Sequence, residues 1–101
     1  MRRILVTGGN KGIGLAIVSA ILAEHDDTFV FLGSRDPGRG HGARDTLVAA
    51  HPAWSDRVLP LELDVSRDAS VREAVVSIRE RCVDEATPLY GVVNNAGIGG
   101  A

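Results

Sequence analysis

A glycine-rich stretch that directly follows a short apolar run constrains this chain most. The run is Ile4-Leu5-Val6, and the stretch is Thr7-Gly8-Gly9-Asn10-Lys11-Gly12-Ile13-Gly14. Apolar residues then recur at helical spacing, so the order is a buried strand, a tight turn and the start of a helix. The first turn of a helix has unpaired N–H groups and the positive end of the helix dipole, which together attract phosphate. The stretch therefore predicts a site for the pyrophosphate of a dinucleotide.

The glycines are spaced Gly-x-x-x-Gly-x-Gly, and each has an expected task. Glycine is required where a Cβ would keep the backbone away from a phosphate or forbid the φ angle of the turn. We expect Gly8 to make the turn, Gly12 to face the cofactor and Gly14 to let the helix pack closely on its strand. The alternative is a glycine-rich turn that binds nothing.

The length and charge of the chain exclude several classes of protein. Its 101 residues suffice for one domain, and the net charge of −2 gives no general attraction to nucleic acid or to anionic membranes. The single Cys82 cannot form an intrachain disulfide. The first apolar run is too short for a signal peptide, and no apolar segment approaches the roughly 20 residues of a membrane span. We expect a soluble cytoplasmic protein.

Strand and helix patterns alternate along the whole chain. Strands are predicted at 4–6, 29–32, 57–64 and 89–93, and helices at 13–24, at 43–50 and after Ser66 as N-cap with Asp68 in the first turn. The apolar stripes of the first and third helices are predicted to be Ile13, Ala16, Ile17, Ala20 and Ile21, and Val71, Ala74, Val75, Ile78 and Cys82. Trp54 is expected to cover the end of the second helix.

This alternation, with right-handed crossovers, predicts an α/β fold with a doubly wound parallel sheet. Pro60 lies inside the third strand, and proline cannot donate to a sheet ladder, so that strand should lie at an edge. An edge position for strand three fits the strand order 3-2-1-4. The glycine turn then lies at the switch point between strands one and four, where ligands bind in such sheets.

The end of the second strand should select the form of a nicotinamide cofactor. An acidic residue there binds the ribose 2′-hydroxyl of NAD, whereas an arginine accommodates the 2′-phosphate of NADP. The chain has Ser34-Arg35-Asp36, with Arg39 nearby and Lys11 in the glycine turn. Three cations suit a dianionic phosphate and predict NADP(H). Two alternatives remain open: the arginines are solvated loop charges, or a shift of the loop presents Asp36 to the cofactor.

The end of the third strand offers a further contact for the cofactor. Asp64 could accept a hydrogen bond from the adenine amino group while Val65 covers the ring. Alternatively, Asp64 only helps to start the third helix.

These motifs together resemble the short-chain dehydrogenase/reductase family. The stretch from Thr7 to Gly14 resembles that family's TGxxxGxG motif, Asp64 matches its acidic position after strand three, and Asn94-Asn95-Ala96-Gly97 resembles its NNAG motif after strand four. Within the family, the residues from Gly8 to Val18 and the Arg35-Asp36 pair look most like NADPH-dependent carbonyl reductases.

The resemblance implies a Rossmann fold that binds NADP(H) and transfers hydride between the nicotinamide and the carbon of a small-molecule carbonyl or alcohol. It implies cofactor contacts along the glycine turn at Gly8, Asn10, Lys11, Gly12, Ile13 and Gly14. It further implies that Arg35 and Arg39 bind the 2′-phosphate, that Asp64 and Val65 bind the adenine, and that Asn95, Ala96 and Gly97 contact the riboses. Asn94 is expected to serve the sheet alone.

The residues that carry the family's chemistry are missing from the sequence. That family uses a serine and a Tyr-x-x-x-Lys motif beyond strand four, whereas the only tyrosine here is Tyr90, with Asn94 four positions later. We therefore assign neither a catalytic residue nor a metal site. Two interpretations stand: an incomplete Rossmann domain (1–101) from a reductase whose catalytic half is absent from this sequence, or a truncated, non-catalytic module that binds a nucleotide or pairs through strand four.

Overall fold

A computed structural model describes residues 2–81 and 91–94 of the chain. Within these ranges the chain alternates between strands and helices and adds one turn of 3₁₀ helix. The strands are β1 (Arg2–Val6), β2 (Thr28–Ser34), β3 (Val58–Glu62) and β4 (Gly91–Val93). The helices are α1 (Gly12–Glu24), α2 (Pro37–Ala50) and α3 (Asp68–Arg81), and the 3₁₀ turn is Pro52–Trp54.

The four strands form one parallel sheet in the order β3-β2-β1-β4, which confirms the predicted order and the edge position of β3. Val30 N–H donates to the Arg57 carbonyl, and Leu63 N–H donates to the Ser34 carbonyl. Successive residues of a strand direct their N–H and C=O groups to opposite sides, so the odd-numbered residues of β3 bond to β2. The nitrogen of Pro60 therefore points to the open edge of the sheet. The proline therefore costs no ladder hydrogen bond, and it discourages another strand from pairing there.

Each face of the sheet carries its own hydrophobic core. Alternate residues of the strands point to opposite faces, so Ile4 and Val6 lie under α1 and α2 whereas Leu5 lies under α3. The core under α1 and α2 is built from Val6, Val18, Leu22, Val30, Leu32, Ala43, Leu47, Trp54 and Val58. The core under α3 is built from Leu5, Phe31, Leu63, Ala74 and Ile78.

The stripe predicted for α1 is wrong in phase. The buried residues are Gly14, Val18 and Leu22, whereas Ile13 is 64% exposed. Of the other predicted members, Ala16 and Ala20 are exposed, and Ile17 and Ile21 are half-buried. The helix is apolar on almost every side, so the pattern alone could not select the face that meets the sheet.

The second helix begins six residues earlier than predicted. Asp36 caps it by accepting a hydrogen bond from Arg39 N–H at 3.1 Å, and Pro37 occupies the first turn. A capping carboxylate followed by proline is a strong start signal, and it outweighs the poor helix propensity of the glycines that follow. Gly40 also allows a close approach, because a Cβ there would lie 3.2 Å from Ser34 Cβ.

The prediction of Ser66 as the N-cap of α3 is wrong. The carbonyl of Arg67 accepts the first hydrogen bond of the helix, from Val71 N–H, and Asp68 stands in the first turn as predicted. The buried face of the helix is Ser70, Ala74 and Ile78. From the predicted stripe, Val71 and Val75 are instead 38% and 40% exposed, and Cys82 lies outside the described residues, as do positions 89 and 90 of strand four.

Trp54 covers the end of α2, as predicted. It is buried in the core that contains Ala43 and Leu47, and its ring stacks on His51 with the centroids 3.9 Å apart.

Arg57 joins the end of α1 to the start of β2. Its guanidinium donates to the Leu22 and Thr28 carbonyls at 3.1 Å each and to the His25 carbonyl. Two of these acceptors lie at the C-terminus of α1, where a cation also complements the helix dipole. One side chain therefore satisfies carbonyls that the helix leaves unpaired.

Replacing this guanidinium should lower the stability of the fold. We expect Arg57→Met to reduce the free energy of unfolding by about 2–3 kcal/mol, because three charge-assisted hydrogen bonds are lost. Urea unfolding followed by circular dichroism measures the change. The control is Arg72→Met at an exposed position of α3, with an expected change below about 0.5 kcal/mol. Equal stability of the two variants would contradict this role of Arg57.

Candidate functional site

The turn after β1 lies against the carboxyl end of β2. Gly9 N–H donates to the Gly33 carbonyl at 2.8 Å. A Cβ on Gly9 would lie 3.3 Å from side-chain atoms of Leu32 and Val18, and a Cβ on Gly33 would lie 3.0 Å from the Val6 carbonyl oxygen. A Cβ at either position would therefore be tightly packed, and its neighbours would have to move by a few tenths of an ångström. The sequence analysis missed it, although the glycine at the end of an apolar strand was the available signal.

Two further glycines of the turn adopt left-handed backbone angles. Gly8 has φ +62° and Gly12 has φ +57°, a region that L-residues with a Cβ avoid. A Cβ on Gly12 would meet nothing within 4 Å, so this residue borders open space at the start of α1. Gly14 is buried, as expected of a residue that lets the helix approach its strand.

The N-terminus of α1 differs electrostatically from those of the other two helices. Its N-cap, Lys11, makes no side-chain hydrogen bond to the helix, and the first turn has no acidic residue. The Asp36 carboxylate caps α2, and Asp68 lies in the first turn of α3. Neither the cap nor the first turn of α1 thus supplies a carboxylate to the positive end of its dipole, which suits an external anion. Ile13 is exposed beside it.

The end of β2 brings Arg35 to the same edge of the sheet. Arg35 is exposed, and its charge lowers the pKa of Asp64 after β3. Arg39 is largely exposed, and its Nε lies 3.7 Å from Asp36 Oδ2, a weak solvated pair. Asp36 Oδ1 therefore caps α2, and Asp36 Oδ2 faces the side chain of Arg39.

Asp64 is held by the residues that follow it. Its Oδ1 accepts hydrogen bonds from the Ser66 hydroxyl at 2.6 Å and the Ser66 N–H at 3.0 Å. These two bonds, helped by the charges of Arg35 and Arg67, hold the pKa of Asp64 below its ordinary value. Val65 is 47% exposed beside this turn.

Thr7 connects the ends of β1 and β4 below the turn. Its N–H donates to the Val93 carbonyl at 3.0 Å, and its hydroxyl donates to Asn94 Oδ1 at 3.2 Å. Asn94 thus has a structural contact across the switch point, as expected. The remaining predicted contacts, Asn95, Ala96 and Gly97, lie outside the described residues.

Comparison with known proteins identifies the family. A family model described as short chain dehydrogenase matches residues 2–101. The chain belongs to the short-chain dehydrogenase/reductase family. The parallel sheet in the order β3-β2-β1-β4 is that of its Rossmann fold.

Relatives of this chain are oxidoreductases. It is 38% identical over 82 residues to a 3-keto-steroid reductase/17-beta-hydroxysteroid dehydrogenase of Rattus norvegicus, which covers 80% of this chain and 24% of the relative. The structure of a menthone neomenthol reductase from Mentha piperita superposes with a TM-score of 0.84 at 37% identity, covering 98% of this chain and 32% of that one. The chain thus spans about a quarter to a third of the length of these proteins.

A second solved structure is described with its coenzyme. The N-domain of a bacterial malonyl-CoA reductase with NADP superposes with a TM-score of 0.72 at 31% identity, over 79% of this chain and 14% of that one.

Among the residues that the structure describes, no helix is long and apolar enough to span a membrane. Nor do the described His, Cys, Asp and Glu side chains form a group of three that could hold a metal ion.

Gly12 and Gly42 both have open space where a Cβ would stand, yet they predict opposite effects of alanine. Gly12→Ala should cost about 1–2 kcal/mol because of its left-handed φ, although nothing blocks the methyl group. Gly42→Ala, inside α2 and also without a neighbour within 4 Å, should gain about 0.5–1 kcal/mol through helix propensity. Thermal unfolding of both variants checks this. A stabilised Gly12→Ala would refute the strained turn.

The pKa of Asp64 should depend on the Ser66 hydroxyl. A lowered pKa favours the folded state at pH values above the unfolded pKa, and this contribution is lost as the pH falls through the folded pKa. We expect Ser66→Ala to raise the pKa of Asp64 toward its ordinary value, which a carboxyl-carbon NMR titration measures. Ser55→Ala, in the turn before β3, is the control. An unmoved pKa in Ser66→Ala would show that the hydroxyl does not hold the carboxylate.

Proposed function

We propose that this chain is the NADP(H)-binding part of a short-chain reductase, an incomplete Rossmann domain over residues 1–101. The observation that carries this proposal is the N-terminus of α1 at the switch point between β1 and β4. This helix begins at Gly12, has no side-chain cap and has no acidic residue in its first turn. Backbone N–H groups at such a position bind the pyrophosphate of a dinucleotide.

The preference for NADP(H) over NAD(H) is argued from the end of β2. A carboxylate that accepts the ribose 2′-hydroxyl marks an NAD site, and Asp36 is the candidate here. Its Oδ1 accepts the capping hydrogen bond from Arg39 N–H, which holds the carboxylate on α2, and Oδ2 lies 3.7 Å from Arg39 Nε in a solvated pair. Arg35 is exposed at that place and is the residue we propose for the 2′-phosphate, with Arg39 beside it.

The other proposed contacts follow the outline of a bound dinucleotide along the carboxyl edge of the sheet. Gly8, Asn10, Lys11, Gly12, Ile13 and Gly14 would hold the pyrophosphate. Asp64 and Val65 would hold the adenine, since a charged carboxylate and an exposed apolar side chain stand together after β3. Asn95, Ala96 and Gly97 would contact the riboses.

The proposed reaction is hydride transfer between NADP(H) and a small-molecule carbonyl or alcohol. A bound nicotinamide would supply the hydride to a carbonyl carbon or accept it from an alcohol carbon, and this chain would bind and orient the coenzyme. The proton needs a general acid of suitable pKa close to the carbonyl oxygen. The 101 residues contain no Tyr-x-x-x-Lys, so we propose that the chain alone binds NADPH without turnover. The single Cys82 agrees with a reducing compartment such as the cytoplasm, which stays a prediction.

Binding of the two coenzymes tests the proposal. We expect wild-type chain to bind NADPH more tightly than NADH by isothermal titration calorimetry. Arg35→Asp should weaken NADPH by about 10–100-fold, the worth of a charge-assisted hydrogen bond to phosphate, and change NADH only a few-fold. Arg72→Asp makes the same charge change on α3 and should leave both affinities nearly unaltered.

Each result has a distinct meaning. Equal affinities for NADPH and NADH before and after Arg35→Asp would refute the assignment of the 2′-phosphate site. Absence of binding of either coenzyme would refute the proposed nucleotide function as a whole.

A further inference from the structure

We propose that Ser34 is a positioning residue for the 2′-phosphate subsite. Its buried hydroxyl fixes the turn between β2 and α2, so that Arg35 stays at the carboxyl edge of the sheet and the Asp36 carboxylate stays on α2. This inference rests on the proposed NADP(H) function.

The Ser34 side chain makes two hydrogen bonds with the backbone of Asp36, one as donor and one as acceptor. Its hydroxyl donates to the Asp36 carbonyl at 2.9 Å and accepts from the Asp36 N–H at 3.2 Å. The Ser34 carbonyl in turn accepts from Leu63 N–H at 2.8 Å, which ties the turn to the end of β3. One hydroxyl thus constrains both peptide groups of Asp36 relative to the rigid end of the sheet.

The hydroxyl acts indirectly, because nothing outside the protein reaches it. Ser34 is 1% exposed, and α2 passes so close that a Cβ on Gly40 would lie 3.2 Å from Ser34 Cβ. Its single proton is already donated to the Asp36 carbonyl. Any effect of Ser34 on a coenzyme therefore has to pass through the turn that it holds.

The fixed turn determines which charged side chain faces the 2′ position of the coenzyme, the Arg35 guanidinium or the Asp36 carboxylate. With the turn fixed, Asp36 Oδ1 accepts from Arg39 N–H at 3.1 Å and Oδ2 lies 3.7 Å from Arg39 Nε. A carboxylate released from the cap would stand near the 2′ position, where it repels a phosphate dianion but accepts a hydroxyl. Fixing the turn therefore favours NADPH over NADH.

The test compares Ser34→Ala with Thr46→Val, using NADPH and NADH as probes in calorimetry. Thr46 also donates its hydroxyl to a backbone carbonyl, that of Gly42 at 3.0 Å, but on the exposed side of α2. Ser34→Ala should weaken NADPH by about 5–20-fold, the worth of one or two hydrogen bonds, with NADH within about twofold of wild type. Thr46→Val should leave the ratio of the two affinities unchanged.

The ratio of the NADPH and NADH affinities distinguishes a loss of positioning from a general loss of structure, because a general loss would weaken the binding of both coenzymes alike. Amide hydrogen exchange at Asp36 and Arg39 should also become faster in Ser34→Ala. If that variant does not fold, Ser34→Cys decides, because a thiol is a weaker donor of similar shape and should give a smaller shift of the ratio.

An unchanged ratio in a folded Ser34 variant, with wild type preferring NADPH, overturns this inference and leaves the proposed function standing. A wild type without that preference overturns the NADP(H) assignment, and the role of Ser34 with it.

Discussion

The carboxyl edge of the sheet depends on how closely the turn after β1 approaches the end of β2. The Gly9 N–H donates to the Gly33 carbonyl, and neither glycine has room for a Cβ that would leave its neighbours in place. This contact fixes where the chain leaves β1, and therefore where α1 begins. A larger residue at either position would push the turn away from the sheet and move the helix N-terminus with it.

The carboxyl edge of the sheet also carries charged groups at the helix starts and at the ends of β2 and β3. Asp36 caps α2 and Asp68 lies in the first turn of α3, whereas the N-cap of α1 is Lys11 and its first turn has no acidic residue. Arg35 stands after β2, and the Asp64 carboxylate stands after β3, with a lowered pKa. An anion is favoured at α1 and at Arg35, and a hydrogen-bond donor is favoured at Asp64. This order matches the pyrophosphate, 2′-phosphate and adenine of the proposed coenzyme.

The sequence predicted the topology better than the faces of its helices. Alternating strands and helices, together with Pro60, were enough for the order 3-2-1-4, since few topologies satisfy right-handed crossovers with β3 at an edge. The buried face of α1 could not be predicted, because its residues are apolar on nearly all sides and only packing against β1 and β2 selects the face. Local pattern also failed at Ser66, whose donors bond to Asp64 instead of capping α3.

The glycine turn was predictable from its motif, and Gly8 and Gly12 have the left-handed φ angles that glycine allows. Contacts between distant segments were not visible in the sequence. Gly33 and Ser34 lie more than twenty residues from Gly9 and Leu63 respectively, and only the folded sheet brings each pair together. The glycine that ends the apolar strand was a signal for a close approach at Gly33, but the sequence does not show which segment makes that approach.

The most direct test of this account is an amide NMR titration of the chain with NADPH. Binding at the start of α1 predicts that the largest shift changes occur at Gly12, Ile13 and Gly14, with further changes at Arg35 and Val65. Shift changes confined to other surfaces, such as the groove beside the outer edge of β3 lined by His41, Arg44 and Arg81, would contradict it.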